Sequence, residues 1–399
     1  MTAALFLSGA VVPAGPAAPA APAALPAGAA ADAQRGLSLI RTARDTADPS
    51  LLPAAESALS RSLRLQPDDN VAAYTGMASL ANARHDFSGS VKWSRRAIAA
   101  NPYKADAYGL LGDALFELGR VRAADAAYQE MVSRRPDVAS YVRASYALQH
   151  HGRTDAAISA MRQALRAAGP SGETPAWVHH QMGDIYAGLG RYRRAARENR
   201  IGAALAPGYA PTRVGLAESL IARGRIERAL PLLESAAAEL PSLEYLTTLG
   251  DLYAATGRPS EASRTYAEAA SLLARYRAAG VLPDADFVVF YADHGLRQRA
   301  ALAEARAIYR DRPTAKTADA LAWALHSGGR ETQAWKFARE AVATPPPDAG
   351  FLLHAGLIAR SLDKHAEARA LLREAMEVDP SVAVLQPRAT RRLLTRAVG

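Results

Sequence analysis

No cysteine occurs anywhere in the 399 residues, which excludes disulfides, thiolate metal sites, a cysteine nucleophile and a lipid-bearing cysteine. The redox compartment is left open by that absence. Lysine is nearly as scarce, confined to Lys92, Lys104, Lys316, Lys336 and Lys364, so the net charge of +9 rests on arginine. Together with the alanine excess, this reads as the codon bias of a GC-rich bacterial genome. A charge of that size bears on solubility and weak association, not on fold. There is no G-x-x-x-x-G-K-[ST] loop, no dinucleotide fingerprint after a strand, no H-E-x-x-H and no nucleophile elbow. The chain is therefore expected to be non-catalytic, with no cofactor, no metal and no small-molecule substrate.

Long apolar runs are missing too. Ala3–Val12 has the length of a secretory h-region and falls far short of the ~20 residues that cross a membrane. Pro13, Pro16, Pro19, Pro22 and Pro26 follow in an Ala/Pro/Gly tract, with small-residue cleavage patterns at Ala27-Gly28-Ala29 and Ala29-Ala30-Ala31. No basic residue precedes Arg35. Two readings stand: residues 1–31 are an export signal of a secreted or cell-envelope protein, or the chain is cytoplasmic with a disordered tail. Either way, residues 1–34 are expected to be extended and to lie outside the fold.

What the chain has in abundance is a period. Pro67, Pro102, Pro136, Pro170, Pro207, Pro241, Pro313, Pro346 and Pro380 are separated by 35, 34, 34, 37, 34, 72, 33 and 34 residues. A second ladder, Gly-Arg, recurs at 119–120, 152–153, 190–191, 224–225, 257–258 and 329–330. Such self-similarity marks a repeat array. Within Asp106–Pro136, Tyr108, Leu111 and Leu115 form one helical stripe, and Val121, Ala124, Tyr128 and Met131 form a second. Gly119 is placed to end the first helix in a conformation that penalises a Cβ, and Pro136 to stop the second. Gly112, Gly183, Gly250 and Gly356 each sit mid-helix at a cost of ~1 kcal/mol against alanine. A cost repeated in register predicts close approach of two helices, with aromatics filling the gap to the next unit.

These residues resemble the tetratricopeptide repeat. Tyr108-Leu111-Gly112-Gly119-Ala124-Tyr128-Pro136 carries the pattern, as do Met182-Gly183-Tyr186-Gly190-Tyr192-Ala195-Pro207 and Leu249-Gly250-Tyr253-Gly257-Ala262-Tyr266. About ten units span roughly residues 36–382. The resemblance implies an all-α fold: a right-handed α-solenoid of stacked antiparallel helix pairs. Units one to seven are assigned to residues 35–280 and units eight to ten to 281–382, with a C-terminal capping helix in 383–399. Unit seven lacks its closing proline, so its second helix should run on to Gly280. Unit eight replaces Gly-Arg with Ala292-Asp293-His294-Gly295, which predicts a change of pitch and a hinge between two lobes.

In the resembled family the first helices line a concave groove that takes peptides or partner helices. The groove position directly after the small mid-helix residue reads Ser79, Asp113, Tyr146, Asp184, Glu218, Asp251, Phe290, Trp323 and Leu357. Glu117, His150, Asp293, His294 and His326 lie one turn further on. The implied partner is a basic or mixed-charge protein segment. The candidate contacts are Asp113, Glu117, Tyr146, Asp184, Glu218, Asp251 and His326, with Phe290 and Trp323 as aromatic anchors. A competing account makes each Asp a repeat-to-repeat device, bonded to a polar group on the neighbouring first helix. The lysine/asparagine clamp by which some family members hold carboxylates is not visible.

His180 and Asp184 form a two-ligand corner one turn apart, but no third ligand stands at a diagnostic spacing. His150 and His151 fall at a helix end. In Arg191–Arg200, Arg193, Arg197 and Arg200 share a helix face, read as a solvated convex surface carrying Glu198. An anion-binding patch is its alternative, although nothing repeats regularly enough for an RNA-reading code. The leading function is thus an interaction scaffold. An accessory subunit of an envelope enzyme or transporter stands second, and an RNA or anionic-polymer binder on the arginine-rich convex side third.

Overall fold

Six glycines stop six helices in the same way. Gly119, Gly152, Gly190, Gly224, Gly257 and Gly329 all have φ between 67° and 77°, the left-handed region that side chains with a Cβ avoid. A computed structural model describes residues 27–343, 348–386 and 388–398, and those residues form helices and turns with no strand among them. Consecutive helices pair as hairpins. α1 (Ala27–Asp45) packs on α2 (Leu52–Leu65), α3 (Val71–Ala83) on α4 (Phe87–Ala100), α5 (Ala105–Glu117) on α6 (Val121–Arg134) and α7 (Val138–His150) on α8 (Thr154–Ala167). α9 (Glu173–Gly188) packs on α10 (Tyr192–Leu205), α11 (Ala210–Ile221) on α12 (Ile226–Glu239) and α13 (Leu243–Ala255) on α14 (Pro259–Ala278). α15 (Ala285–Asp293), α17 (Ala315–Ser327) and α19 (Ala349–Ser361) pair with α16 (Gln298–Asp311), α18 (Glu331–Val342) and α20 (His365–Val378), and α21 (Arg388–Val398) follows.

The mid-helix glycines mark close approach inside the hairpin. A Cβ on Gly112 would drive into the ring of Tyr128, and one on Gly250 into that of Tyr266. The aromatic therefore covers the glycine of its own unit, where the sequence pattern suggested the gap to the next. Buried small residues such as Ala124, Ala195 and Ala262 let the paired backbones come together.

One segment differs from expectation and another meets it. The apolar stretch Met1–Val12 and the proline tract lie outside the described residues, but residues 27–34 are the first turns of α1 and not a disordered tail. Ala29 and Ala33 are fully buried, the Ser62 hydroxyl donates to the Ala29 carbonyl at 2.7 Å, and Arg61 pairs with Asp32 at 2.8 Å. α14 runs for 20 residues, as the missing proline predicted, and turns at Gly280 with φ 80°.

First helices touch the first helices of neighbouring units, as in α1–α3, α3–α5, α9–α11, α15–α17 and α17–α19. Second helices do not approach one another in this way. An array packed tighter along one row curves toward that row, so the first helices line the inner, concave side.

The curve then returns on itself. Arg84 Nε donates to the Ala279 carbonyl at 3.1 Å, and the Leu282 amide donates to the Arg84 carbonyl at 2.9 Å. Arg312, 3% exposed, holds Asp284 at 2.8 Å, stands 3.6 Å from Glu117 and covers the Phe87 ring at 4.8 Å. Tyr192 donates its hydroxyl to Asp379. The partners are 195 residues apart at Arg84 and 187 at Tyr192, between five and six units of the array. Unit eight, expected as a hinge, is where the chain meets its own early repeats. One apolar cluster runs from Ile40, Leu52 and Leu80 to Leu246, Leu272 and Phe287. At the other end α21 lays Leu394 and Ala397 against Leu353 and Leu372.

Candidate functional site

The concave row divides into a stretch consumed by the fold and a stretch that stays open. Asp113, 6% exposed, forms a two-pronged ion pair with Arg143 of the next first helix, Nε to Oδ1 at 2.9 Å and Nη2 to Oδ2 at 2.8 Å. The repeat-to-repeat account describes this aspartate, and its carboxylate has no face left for a ligand. Glu117 belongs to the return contact with Arg312. Burial, with Asp284 and Asp286 nearby, outweighs Lys316 and Arg312 and pushes it up to about 7. Tyr146 packs its ring edge-on to Phe116 at 4.7 Å. Phe290 is 2% exposed and packs among Tyr266, Tyr291 and His294, so it is core and not a groove anchor.

From α9 onward the inner row opens and turns acidic. Asp184 keeps a third of its side chain exposed, with His180 Nε2 at 3.6 Å as a weak partner. Glu218 on α11 and Glu244 on α13 have no ion-pair partner among the described residues. Glu244 retains exposed surface, yet the surrounding coil thins the water about it, and this with the charge of Asp184 pushes it up to about 7. Loss of water and the charges of Glu244 and Asp184 likewise hold Glu218 well above the usual carboxylate range. Tyr209 and Tyr245 stand within the reach of these charges. Asp251 accepts the Tyr266 hydroxyl at 2.8 Å; burial, helped by Asp293, pushes it up to about 7.

The last units build a different surface. Trp323 stacks on His354 at 4.1 Å and 9°, and on His326 at 4.8 Å and 26°, while its indole N–H donates to Asp293 at 2.6 Å. His354 Nδ1 lies 2.9 Å from Asp319, which is 2% exposed, and His326 Nδ1 lies 2.6 Å from Glu331. Trp323 is therefore a filling between two imidazoles, and His326 is tied to the start of α18. Asp286, Lys316, Asp319 and His354 fall outside the two positions per first helix that the sequence pattern picks out. The signal was helical spacing: Asp286 precedes Phe290, and Asp319 precedes Trp323, by one turn.

Other candidates settle into structural roles. His179 Nδ1 lies 2.8 Å from Glu198, so Glu198 faces α9 and is not part of a solvated arginine face. Arg193, Arg197 and Arg200 are exposed, and Arg191, Arg193, Arg194 and Arg223 border an open hollow of about 440 Å3. His151 pairs with Asp125 at 2.8 Å. Among the described residues no cluster of three His, Asp or Glu side chains could hold a metal, and no helix is long and apolar enough to cross a membrane.

Stacked helix hairpins with an open inner row define an α-solenoid of the interaction-scaffold class. Residues 105–138 and 349–382 each match the sequence profile of the tetratricopeptide repeat. The human IFIT1 dimer with PPP-AAAA is similar at 16% identity and a TM-score of 0.50, over 79% of this chain and 72% of that one. The APC/C hetero-tetramer Cut9–Hcn1 gives 12% identity and a TM-score of 0.46 over 92% and 87%. PilF of Pseudomonas aeruginosa gives 15% and 0.40 over 56% and 97%. A search of curated proteins finds no match. The period and the paired helices along the rest of the chain fit the same repeat that the two matched units carry. That family generally serves as non-catalytic scaffolding for protein partners.

Proposed function

We propose that the protein is a non-catalytic scaffold that receives an extended, basic or mixed-charge segment of a partner protein along the inner row from α9 to α19. The carrying observation is the strip Asp184, Glu218 and Glu244, whose carboxylates crowd together on consecutive first helices, with the His180 imidazole 3.6 Å from Asp184 and no arginine or lysine paired to them among the described residues. A fold keeps such a strip at a cost in like-charge repulsion, and a basic ligand would relieve that cost. Tyr209 beside it, partly exposed, offers a ring for an apolar or cationic side chain. Asp113, Glu117, Tyr146 and Phe290 take no part, being held within the fold.

The test is an array of 15-residue peptides of graded charge, probed with purified wild-type protein and with Glu218→Lys/Glu244→Lys. Basic and mixed-charge peptides should bind the wild type, with an affinity that falls as salt rises, and should lose the charge-reversed protein. Preference for acidic peptides, or binding indifferent to the reversal, would sink the reading.

A further inference from the structure

Between the turn that joins α9 to α10 and the end of α11 lies the open hollow of about 440 Å3, lined by Gly190, Arg191, Tyr192, Arg193, Arg194 and Arg223. That volume falls within the ~300–1,000 Å3 of ligand sites. Gly190, at φ 67°, turns the chain so that Arg191 precedes α10, and Tyr192 is held from across the coil by its hydrogen bond to Asp379. The Arg194 guanidinium stands 5.7 Å from the centre of the Tyr186 ring, and Arg223 is partly buried.

None of these four arginines pairs with a carboxylate among the described residues. Asp379, the carboxylate tied to this wall, accepts the Tyr192 hydroxyl and, at 2.8 Å, the Ser381 amide. The flanking turns are built differently. After Arg153, Arg225 and Arg258, the helices α8, α12 and α14 carry Asp155, Glu227 and Glu261 in their first turns. The first turn of α10 holds no acid and adds Arg193 and Arg194 instead. Positive charge is thus concentrated at one point on the turn side of the coil and diluted on either side of it.

Concentration at a point selects the anion. A nucleic-acid strand spreads one charge per phosphate along its length and calls for a continuous basic track. A carboxylate brings one charge and two oxygens, enough for a single guanidinium fork. A phosphate monoester carries between about −1.5 and −2 near neutral pH and three free oxygens, so several forks can hold it at once. We propose that this hollow receives a phosphorylated side chain of a partner protein, its phosphate held by Arg191, Arg193, Arg194 and Arg223. The site lies outside the inner row and stands independently of the acidic strip there.

A fluorescent Gly/Ala peptide centred on phosphoserine, with serine and glutamate versions of it, serves as the probe in anisotropy titrations of the full chain. The phosphoserine peptide should bind about tenfold or more tighter than the glutamate peptide, and the serine peptide should not bind. Inorganic phosphate should compete only at far higher concentration. Arg193→Gln/Arg223→Gln should weaken the phosphopeptide by about tenfold or more, the usual effect of losing charged hydrogen bonds, while helicity and melting stay unchanged. Arg197→Gln/Arg200→Gln, on exposed positions of the same helix outside the hollow, should leave binding intact. Glu218→Lys/Glu244→Lys should leave it intact too, which separates this site from the acidic strip. Indifference between phosphoserine and glutamate, or equal weakening by the Arg197/Arg200 variant, would overturn the site. Tighter binding of a single-stranded oligoribonucleotide, or of inorganic phosphate alone, would overturn its assignment to a protein segment.

Discussion

At the residue scale, Asp251 shows what an inner surface without counter-charge does to a carboxyl group. Its ordinary value is 3.8, and in the folded chain it is pushed up to about 7 by burial, with Asp293 adding to the push and the Tyr266 hydroxyl opposing it. A raised carboxyl binds its proton more tightly when folded, so its favourable contribution is complete below pH ~4 and is lost as pH rises through about 7. Asp251→Asn, which can still accept from Tyr266, should therefore raise the melting temperature at pH 8. Allowing for solvent at a side chain one-third exposed, the gain should be on the order of 1 kcal/mol, and it should vanish at pH 3.5. Thermal scans of both proteins at the two values check it, and an equal shift at both would refute the assignment. Single residues were the hardest part to read from sequence. Asp113 and Asp251 occupy the same position of their repeats, yet one is locked to Arg143 and the other meets a tyrosine hydroxyl, with the His294 imidazole 3.9 Å away. The difference lies in a residue of the next helix, which no local pattern announces.

At the scale of the element, the hairpins follow from local chemistry and were legible. The left-handed glycines, the helix-stopping prolines and the long α14 all stand where the period and its one gap placed them. Gly112 tests the packing rule directly. Alanine is ordinarily better by ~1 kcal/mol inside a helix, but here its methyl group would meet the Tyr128 ring. Gly112→Ala should cost ~1–3 kcal/mol by overpacking, and Tyr128→Leu in the same chain should return much of that loss. Urea melts of the two single variants and the double variant measure the coupling, and simple additivity would refute it. The first helix was misread for a physical reason. Residues 27–34 are alanine, glycine and two polar residues, with too little apolar periodicity to tell a buried small-residue helix from a flexible tail. Only the contacts of Ala29 and Ala33 with α2 and its surroundings distinguish them.

At the scale of the whole molecule, the return of the coil is the feature that sequence concealed most completely. Its partners, Arg84 with Ala279 and Arg312 with Glu117 and Phe87, are separated by about half the chain, and repeat periodicity carries no record of them. Arg312 is the buried centre of this contact, and removing one partner of a buried ion pair typically costs ~3–5 kcal/mol. Arg312→Gln should loosen the return while leaving the hairpins helical. The expected signs are a larger radius of gyration in X-ray scattering, faster amide exchange at 84–87 and 279–287, and unchanged far-ultraviolet circular dichroism. An unaltered radius with unaltered exchange would show that the apolar cluster alone holds the two parts together.

The offset between those partners also restrains how the chain can evolve. An open array can gain or lose a unit by duplication, since each hairpin answers only to its neighbours. Here a unit inserted anywhere between Tyr192 and Ala279 would slide every cross-turn partner by about 34 positions and set Arg312 opposite the wrong hairpin. Copy number within that span is thereby counted by the protein itself, and lineages that vary in length should do so outside it.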